Sequence, residues 1–491
     1  MKSIESYLSR LLNVSRCTFP IKSKNVGDIT VKSKSYNVDL YVAVSTRPFG
    51  YYSSTLASAF PDSLSFFDNR PIRGGIYINA QKVPSEAQNE TSINRKFFTT
   101  CLHEICHILG INKDLYPYWL NRKTGNSWGS KIPMTTIEKD GKNFTLLQTP
   151  QCVKYATQRW NRTEFIDGVP MGVELEDGGG LGTEKSHPEA RVFFNELMVG
   201  LSLQPAKISD LTLAMLEDTG WYDCNYEMAE PLAWGDGDSI NGTKLQNFPV
   251  DPPYTAFPQN YLCNENESND DKCSYDYTYI GECSSSMYYD CPGYTSDDKN
   301  YCKGSNFYNP LNFSKRGVYS IVDFTIFPIM SRNCRDVNSN VVYDGETYGK
   351  DSFCFMKNNN TPMCYKTEIE NETNLFVTIG NLTKQCNYEN EVLIFENFNI
   401  TCPDPSKLIR MRSFQNNSVY RPPLGKTHYA MLTHTIIIIT CVTVFVCIVI
   451  FAIAFYMYGI FKEKKAVKDM KKAMEDTDNS TIKKNLLIDG Q

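Results

Sequence analysis

The sequence predicts an α+β chain with a disulfide-rich C-terminal region and a single transmembrane helix near its end. Three observations predict it. Strand-like segments early in the chain give way to a helix that carries polar chemistry. The 17 cysteines concentrate between Cys263 and Cys402, and no side chain from Thr435 to Phe461 is charged.

Taken in order, Ile4, Leu8, Leu11 and Leu12 fall at helical spacing and predict a short amphipathic helix at the start. The segments Val38–Ser45 and Gly74–Ala80 (GGIYINA) are rich in β-branched and aromatic residues and read as strands. The period then changes. Phe98, Leu102, Ile105 and Leu109 recur at i, i+4, i+7 and i+11, the buried stripe of a helix that stops at Gly110. From Ile111 to about Asn260 the signals are loop-rich, with a second helix over Ile208–Trp221. Gly178, Gly179, Gly180 and Gly182 crowd one loop; no Lys-Ser/Thr follows them, so they read as a flexible approach to His187 and not as a phosphate loop. The expected units are 1–110, 111–260, a Cys-rich extracellular unit at 261–425, a membrane helix at 435–461 and a cytoplasmic tail at 462–491.

Cysteine usage of this kind belongs to an oxidising compartment. Acceptor triplets for N-glycosylation agree with it, at Asn89, Asn143, Asn161, Asn241, Asn266, Asn312, Asn359, Asn371, Asn381, Asn399 and Asn416. Fifteen of the cysteines precede the apolar span, so one is expected to stay unpaired in a monomer. The span is long enough to cross ~30 Å of hydrocarbon, and Lys462, Lys464, Lys465, Lys468, Lys471 and Lys472 after it favour the cytoplasmic side. A single-pass type I protein at the cell surface is the expected topology. The first residues, MKSIESYLSRLLNVSRC, lack the apolar core of a signal peptide, so the chain is expected to be N-terminally incomplete. A net charge of −5 and a pI near 5.7 provide no basic face and exclude nucleic acid as a partner.

The chemistry lies on the predicted helix, in His103-Glu104-Ile105-Cys106-His107. Residues four apart share one helix face, so both imidazoles can reach one Zn²⁺, with Glu104 placed to act on its water. The chain has only five histidines, which makes this spacing informative. A catalytic zinc takes a third protein ligand. His428 and His434 lie next to the membrane span, leaving His187 as the candidate, with Glu164 or Glu174 as carboxylate competitors. Cys106 projects about 100° away from His107 on the helix and reads as a small buried thiol, not a fourth ligand. Gly110, three residues after His107, allows a sharp turn and completes H-E-x-x-H-x-x-G, the metzincin beginning.

On these motifs, with EDGGGLGTEKSH at 176–187, NELM at 195–198 and ISDLTLAMLEDTGWYDCNYEMAEPLAWG at 208–235, the chain resembles the leishmanolysin family of surface metallopeptidases. Looser similarity continues to ITCPDP at 400–405. The resemblance implies a metzincin-like zinc peptidase catalytic domain with one Zn²⁺. His103, His107 and His187 would be its ligands, Glu104 the general base and proton shuttle, and Met198 the Met-turn beneath the site. It also implies that GGIYINA is the edge strand over the cleft, against which protein or peptide substrates pair in extended form. In three respects the chain departs from the family pattern: the family's signal peptide, inhibitory prosegment and first part of the catalytic domain are not recognisable, and two further differences lie in the residues themselves. Asn195 stands where an acidic residue is usual, and the sequence continues for 30 residues past Phe461 (491 − 461 = 30), unlike a glycolipid-anchor signal. The implied function is metalloendopeptidase. The alternative is an inactive cell-adhesion or receptor ectodomain on the same fold.

Overall fold

The computed structural model describes residues 1–50, 53–180, 182–263, 270–287, 296–308, 315–339, 345–358, 360–396, 398–416 and 430–488. Its contacts divide the chain into two units, 1–121 with 126–426, and 122–125 with 427–491.

In the first unit, helix α1 (Lys2–Leu11) buries Ile4 and Leu11 of the predicted face together with Tyr7, while Leu8 is half-buried and Leu12 lies beyond the helix in a short strand. A three-stranded sheet follows. Strand β1 (Tyr41–Arg47) runs parallel to β3 (Pro71–Asn79), and β2 (Ala57–Leu64) runs antiparallel to β3 on its other side. The order is β1-β3-β2, so Gly74–Ala80 falls largely in the central strand, not on the edge. The residues explain this correction. Strand β3 is buried along nearly its whole length, whereas β2 carries Pro61 and Asp62, which suit an unpaired edge.

Helix α2 (Lys96–Leu109) packs on this sheet, with Phe98, Leu102, Ile105 and Leu109 all buried as their period predicts. Gly74 makes the close approach possible, because a Cβ there would stand 2.6 Å from Ile108 Cγ2.

The stretch read as loop-rich holds more structure than its composition suggested. Strands β4 (Met134–Lys139) and β5 (Lys142–Leu147) form a hairpin, joined by β6 (Val173–Leu175). Asp140 and Gly141 make its turn with φ of 51° and 84°, and an Asp-Gly pair is a strong hairpin signal that the broad composition obscured. Helix α3 (Pro150–Trp160) starts with proline at its first position, and Asp218 accepts the Gln151 and Cys152 N–H groups there at 2.9 Å each. Asp218 ends helix α4 (Asp210–Asp218), which lies within the segment predicted as the second helix, so one carboxylate ties the two helices together.

Among the described residues from Asp271 to Thr401 antiparallel strands are the main regular structure. Strands β7 (Asp271–Cys273), β8 (Tyr279–Cys283) and β9 (Pro328–Asn333) form one sheet. A six-stranded sheet contains β10 (Ser352–Lys357), β11 (Thr361–Glu370), β12 (Asn374–Ile379), β13 (Leu382–Cys386), β14 (Val392–Phe395) and β15 (Phe398–Thr401), ordered β13-β12-β11-β10-β15-β14. Cys263–Cys283, Cys273–Cys354, Cys334–Cys364 and Cys386–Cys402 are disulfides, and Cys302 is also disulfide-bonded. Among the described residues before the apolar span Cys17, Cys101, Cys106 and Cys152 keep free thiols, where one was expected. Parity bounds the number of unpaired thiols only from below. Cys101, Cys106 and Cys152 are buried, and a buried thiol behaves as a small hydrophobe.

Helix α5 (Pro405–Asn416) closes the first unit. Helix α6 (Ala430–Ile488) contains the predicted span, and between Thr440 and Asp476 it holds an 18-residue stretch with a mean hydropathy of 2.6, apolar and long enough for the helix to cross a membrane. Phe445, Phe451 and Phe455 on it are exposed, as lipid-facing side chains would be. Of the glycosylation triplets, Asn89, Asn143, Asn161, Asn241, Asn371, Asn381 and Asn416 are exposed and Asn399 is half-buried; Asn266, Asn312 and Asn359 lie outside the described residues.

Candidate metal centre and active site

Helix α2 presents His103 and His107 one turn apart, and the segment after β6 brings His187 against them. The three Nε2 atoms stand 3.0, 3.0 and 3.3 Å from one another. Each Nδ1 is within hydrogen-bond reach of a backbone carbonyl: His103 of Leu197 at 2.7 Å, His107 of Ile111 at 2.6 Å and His187 of Thr183 at 3.0 Å. A carbonyl can only accept, so each Nδ1 carries the hydrogen and each Nε2 turns a lone pair towards the other two. Three lone pairs at this separation repel unless a cation lies between them. A tetrahedral zinc with bonds of about 2.0–2.1 Å would hold its nitrogens about 3.3 Å apart, close to what the histidines present.

Electrostatics favours the same state. Burial lowers the pKa of all three imidazoles, most explicitly His187, which falls to about 3 with help from His103. They are neutral donors, the form that binds metal.

Gly110 ends α2 with φ of 139°, a conformation suited to glycine, and a Cβ there would stand 2.9 Å from the Trp221 ring. The chain turns at once, and this brings the Ile111 carbonyl back to His107 four residues later.

Glu104 is buried and lies in the same cleft as the histidines, a cavity of about 660 Å³ lined also by Ser54, Thr55 and Ala57–Ala59. Burial pushes its carboxyl up to about 8, opposed by the Ala59 N–H on β2. A cation at the histidines would draw that value down again. Strand β2 is the strand that flanks the cleft, the place that GGIYINA was expected to fill.

The NELM segment supports the site from below. The Leu197 carbonyl orients His103, and Met198 next to it is fully buried. Glu196 accepts from Met198 N–H, Ser209 Oγ and Thr212 Oγ1, fixing the turn to α4. Asn195 donates through Nδ2 to the Pro205 carbonyl at 2.7 Å, a bond that an ionised acidic residue at this position could not make.

The other candidates fall elsewhere. Glu174 is bound by Arg191 at 2.6 Å, and Glu164 forms an isolated bridge with Pro170. Cys106 is fully buried, and burial raises its thiol. His428 lies outside the described residues, as does the side chain of His434. Sequence reasoning missed Leu197, Ile111 and Thr183, whose contributions are backbone carbonyls and leave no side-chain signature.

A helix bearing H-E-x-x-H, a third histidine converging on it and a carboxylate in the same cleft define the site type of a metallopeptidase. The comparisons agree. The family model for leishmanolysin (peptidase M8) matches residues 19–387, and the chain belongs to that family. It is 30% identical over 250 residues to a leishmanolysin-like peptidase of Caenorhabditis elegans, covering 46% of this chain and 37% of that protein. A leishmanolysin-like peptidase of Drosophila pseudoobscura pseudoobscura is 30% identical over 197 residues, covering 34% and 28%. The ciliated left-right organizer metallopeptidase of Homo sapiens is 30% identical over 174 residues, covering 35% and 21%. The matched part thus spans between about a fifth and two fifths of these relatives.

Proposed function

We propose that this chain is a zinc-dependent endopeptidase that hydrolyses peptide bonds of extracellular or surface proteins. The observation that carries the reading is the convergence of three proton-free Nε2 atoms beside a buried glutamate in an open cleft. In it His103, His107 and His187 hold one zinc, Glu104 is the base and Met198 forms the Met-turn. Zinc when bound supplies Lewis acidity, which polarises a carbonyl and acidifies water. Glu104 takes the proton of the attacking water and delivers it to the leaving amine. The free edge of β2 offers backbone groups to an extended substrate, so that the scissile bond lies along the cleft. Helix α6 spans the membrane with the first unit outside and 462–491 in the cytoplasm, as the lysines after Phe461 favour.

The intact Glu104 supports catalysis over an inactive adhesion or receptor ectodomain, which has no need of a buried base. The test pairs metal analysis with cleavage of a broad peptide library by the full chain in detergent. One zinc per chain with cleavage, both lost in His187→Ala, is the expected result. Full zinc in a folded His187→Ala protein would remove His187 from the ligand set, and zinc without cleavage in the parent would favour the ectodomain.

A further inference from the structure

Away from the three histidines, five carboxylates gather round two cations. Glu174, Glu176, Glu189 and Asp323 are buried, as are Lys142 and Arg191, while Asp177 is partly exposed. Lys142 Nζ pairs with Asp323 at 2.9 Å, Asp177 at 3.1 Å and Glu174 at 3.6 Å. Arg191 pairs with Glu174 at 2.6 Å and Asp323 at 2.8 Å. Two positive charges therefore serve three of the acids. Among the described residues Glu176 and Glu189 have no ion pair at all. Each spends one oxygen on a backbone N–H, Glu176 on Gly178 at 2.8 Å and Glu189 on Arg191 at 3.0 Å. Their second oxygens, Glu176 Oε2 and Glu189 Oε2, are buried with no hydrogen-bond partner among the described residues. A fully buried carboxylate with an unpartnered oxygen is among the least stable arrangements a protein interior can hold. Here two occur together, and a carboxylate oxygen from each of Glu176, Asp177 and Glu189 lies within 4.8 Å of the others.

We propose that Glu176, Asp177 and Glu189 form a second metal site, distinct from the histidines, that takes a divalent cation of the calcium type. The donor set decides the class of ion. It is all oxygen, with no imidazole or thiolate, which suits a hard cation and disfavours zinc. The partly exposed Asp177 leaves a route for the ion and for the waters that complete its shell. The site also has a structural consequence. Glu176 is paired with the His187 segment through its backbone, its N–H donating to the His187 carbonyl at 2.9 Å and its carbonyl accepting from Lys185 at 2.8 Å, and Glu189 follows two residues after His187. An ion here fixes the loop carrying His187 on both sides of that residue. The inference stands on these acids alone and does not depend on the zinc reading.

The test is terbium(III) luminescence of the zinc-loaded full chain in detergent, with calcium as competitor. Tyr308 is the sensitiser, its ring centre 5.8 Å from Lys142 Nζ. One saturable terbium site per chain, displaced by calcium, is expected. The double variant Glu176→Gln with Glu189→Gln should weaken it at least tenfold, while His187→Ala should keep it. Should the double variant fail to fold, Asp177→Asn at the partly exposed rim must weaken terbium at least severalfold. No saturable signal in the parent, or undiminished binding in the variants, overturns the proposal; a thermal midpoint unmoved by calcium would mean that the acids share protons instead of an ion.

Discussion

The residues before Cys263 and those after it are stabilised by different means. The first region holds no disulfide among its described residues and relies on bulk: Trp119, Trp160 and Trp234 are each almost entirely buried, and Arg159 and Arg191 are buried with their partners. The second places six disulfide-bonded cysteines, Cys273, Cys334, Cys354, Cys364, Cys386 and Cys402, inside one apolar cluster. The difference teaches that thiols do not by themselves make a disulfide framework. Cys101, Cys106 and Cys152 lie buried in a core that holds without cross-links, whereas the second region adds to its buried cluster the stabilisation that comes from restricting the unfolded chain.

In the first region Trp119 is fully buried and donates to the Gly110 carbonyl at 3.0 Å. Trp119→Ala should cost about 3–5 kcal/mol in denaturant unfolding, and zinc content should fall with it because the turn that serves His107 loosens. In the second region, Cys273→Ser with Cys354→Ser opens a cross-link spanning 81 residues and should cost about 4 kcal/mol; Cys386→Ser with Cys402→Ser, spanning 16, should cost about 3. Zinc should stay bound in both pairs, and its loss would show that the two regions fold as one. The smallest expected effect is a pH dependence. Burial pushes the Glu196 carboxyl up to about 7 against the pull of Thr212, Met198 and Ser209. An unfolded glutamate titrates near 4.3. Between these values the folded chain keeps a proton that the unfolded chain has released, so this contribution is present at low pH and lost as pH rises towards 7. Unfolding free energies at pH 5 and pH 7.5 should differ by about 1–3 kcal/mol more in the parent than in Glu196→Gln.

Much of the candidate site was legible because it is local. His103, Glu104 and His107 sit within one helical turn, and Gly110 marks where that helix must stop. His187 could be named only through the scarcity of histidine and the family resemblance, since its approach depends on a chain path 80 residues long (187 − 107 = 80). The edge strand was misread because both candidates look like strands, and what separates them, pairing on both sides in β3 and on one side in β2, is decided only in the folded sheet. Glu174 looked like a possible ligand for the converse reason. Its partners, Lys142 and Arg191, come from two separate parts of the chain, and no spacing announces them. The disulfide region was legible as a class but not in its pairing or in its six-stranded order.

The central claim is that Glu104 is a base and not a ligand, standing beside a metal held by three histidines. It is tested most directly by replacing Glu104 with Ala in the full chain and measuring zinc content and peptide hydrolysis on the same sample. The account predicts unchanged zinc, an unchanged fold by circular dichroism and hydrolysis reduced by at least about a hundredfold, roughly 3 kcal/mol or more of transition-state stabilisation. A Glu104→Ala protein that cleaves peptides at the parent's rate would contradict it.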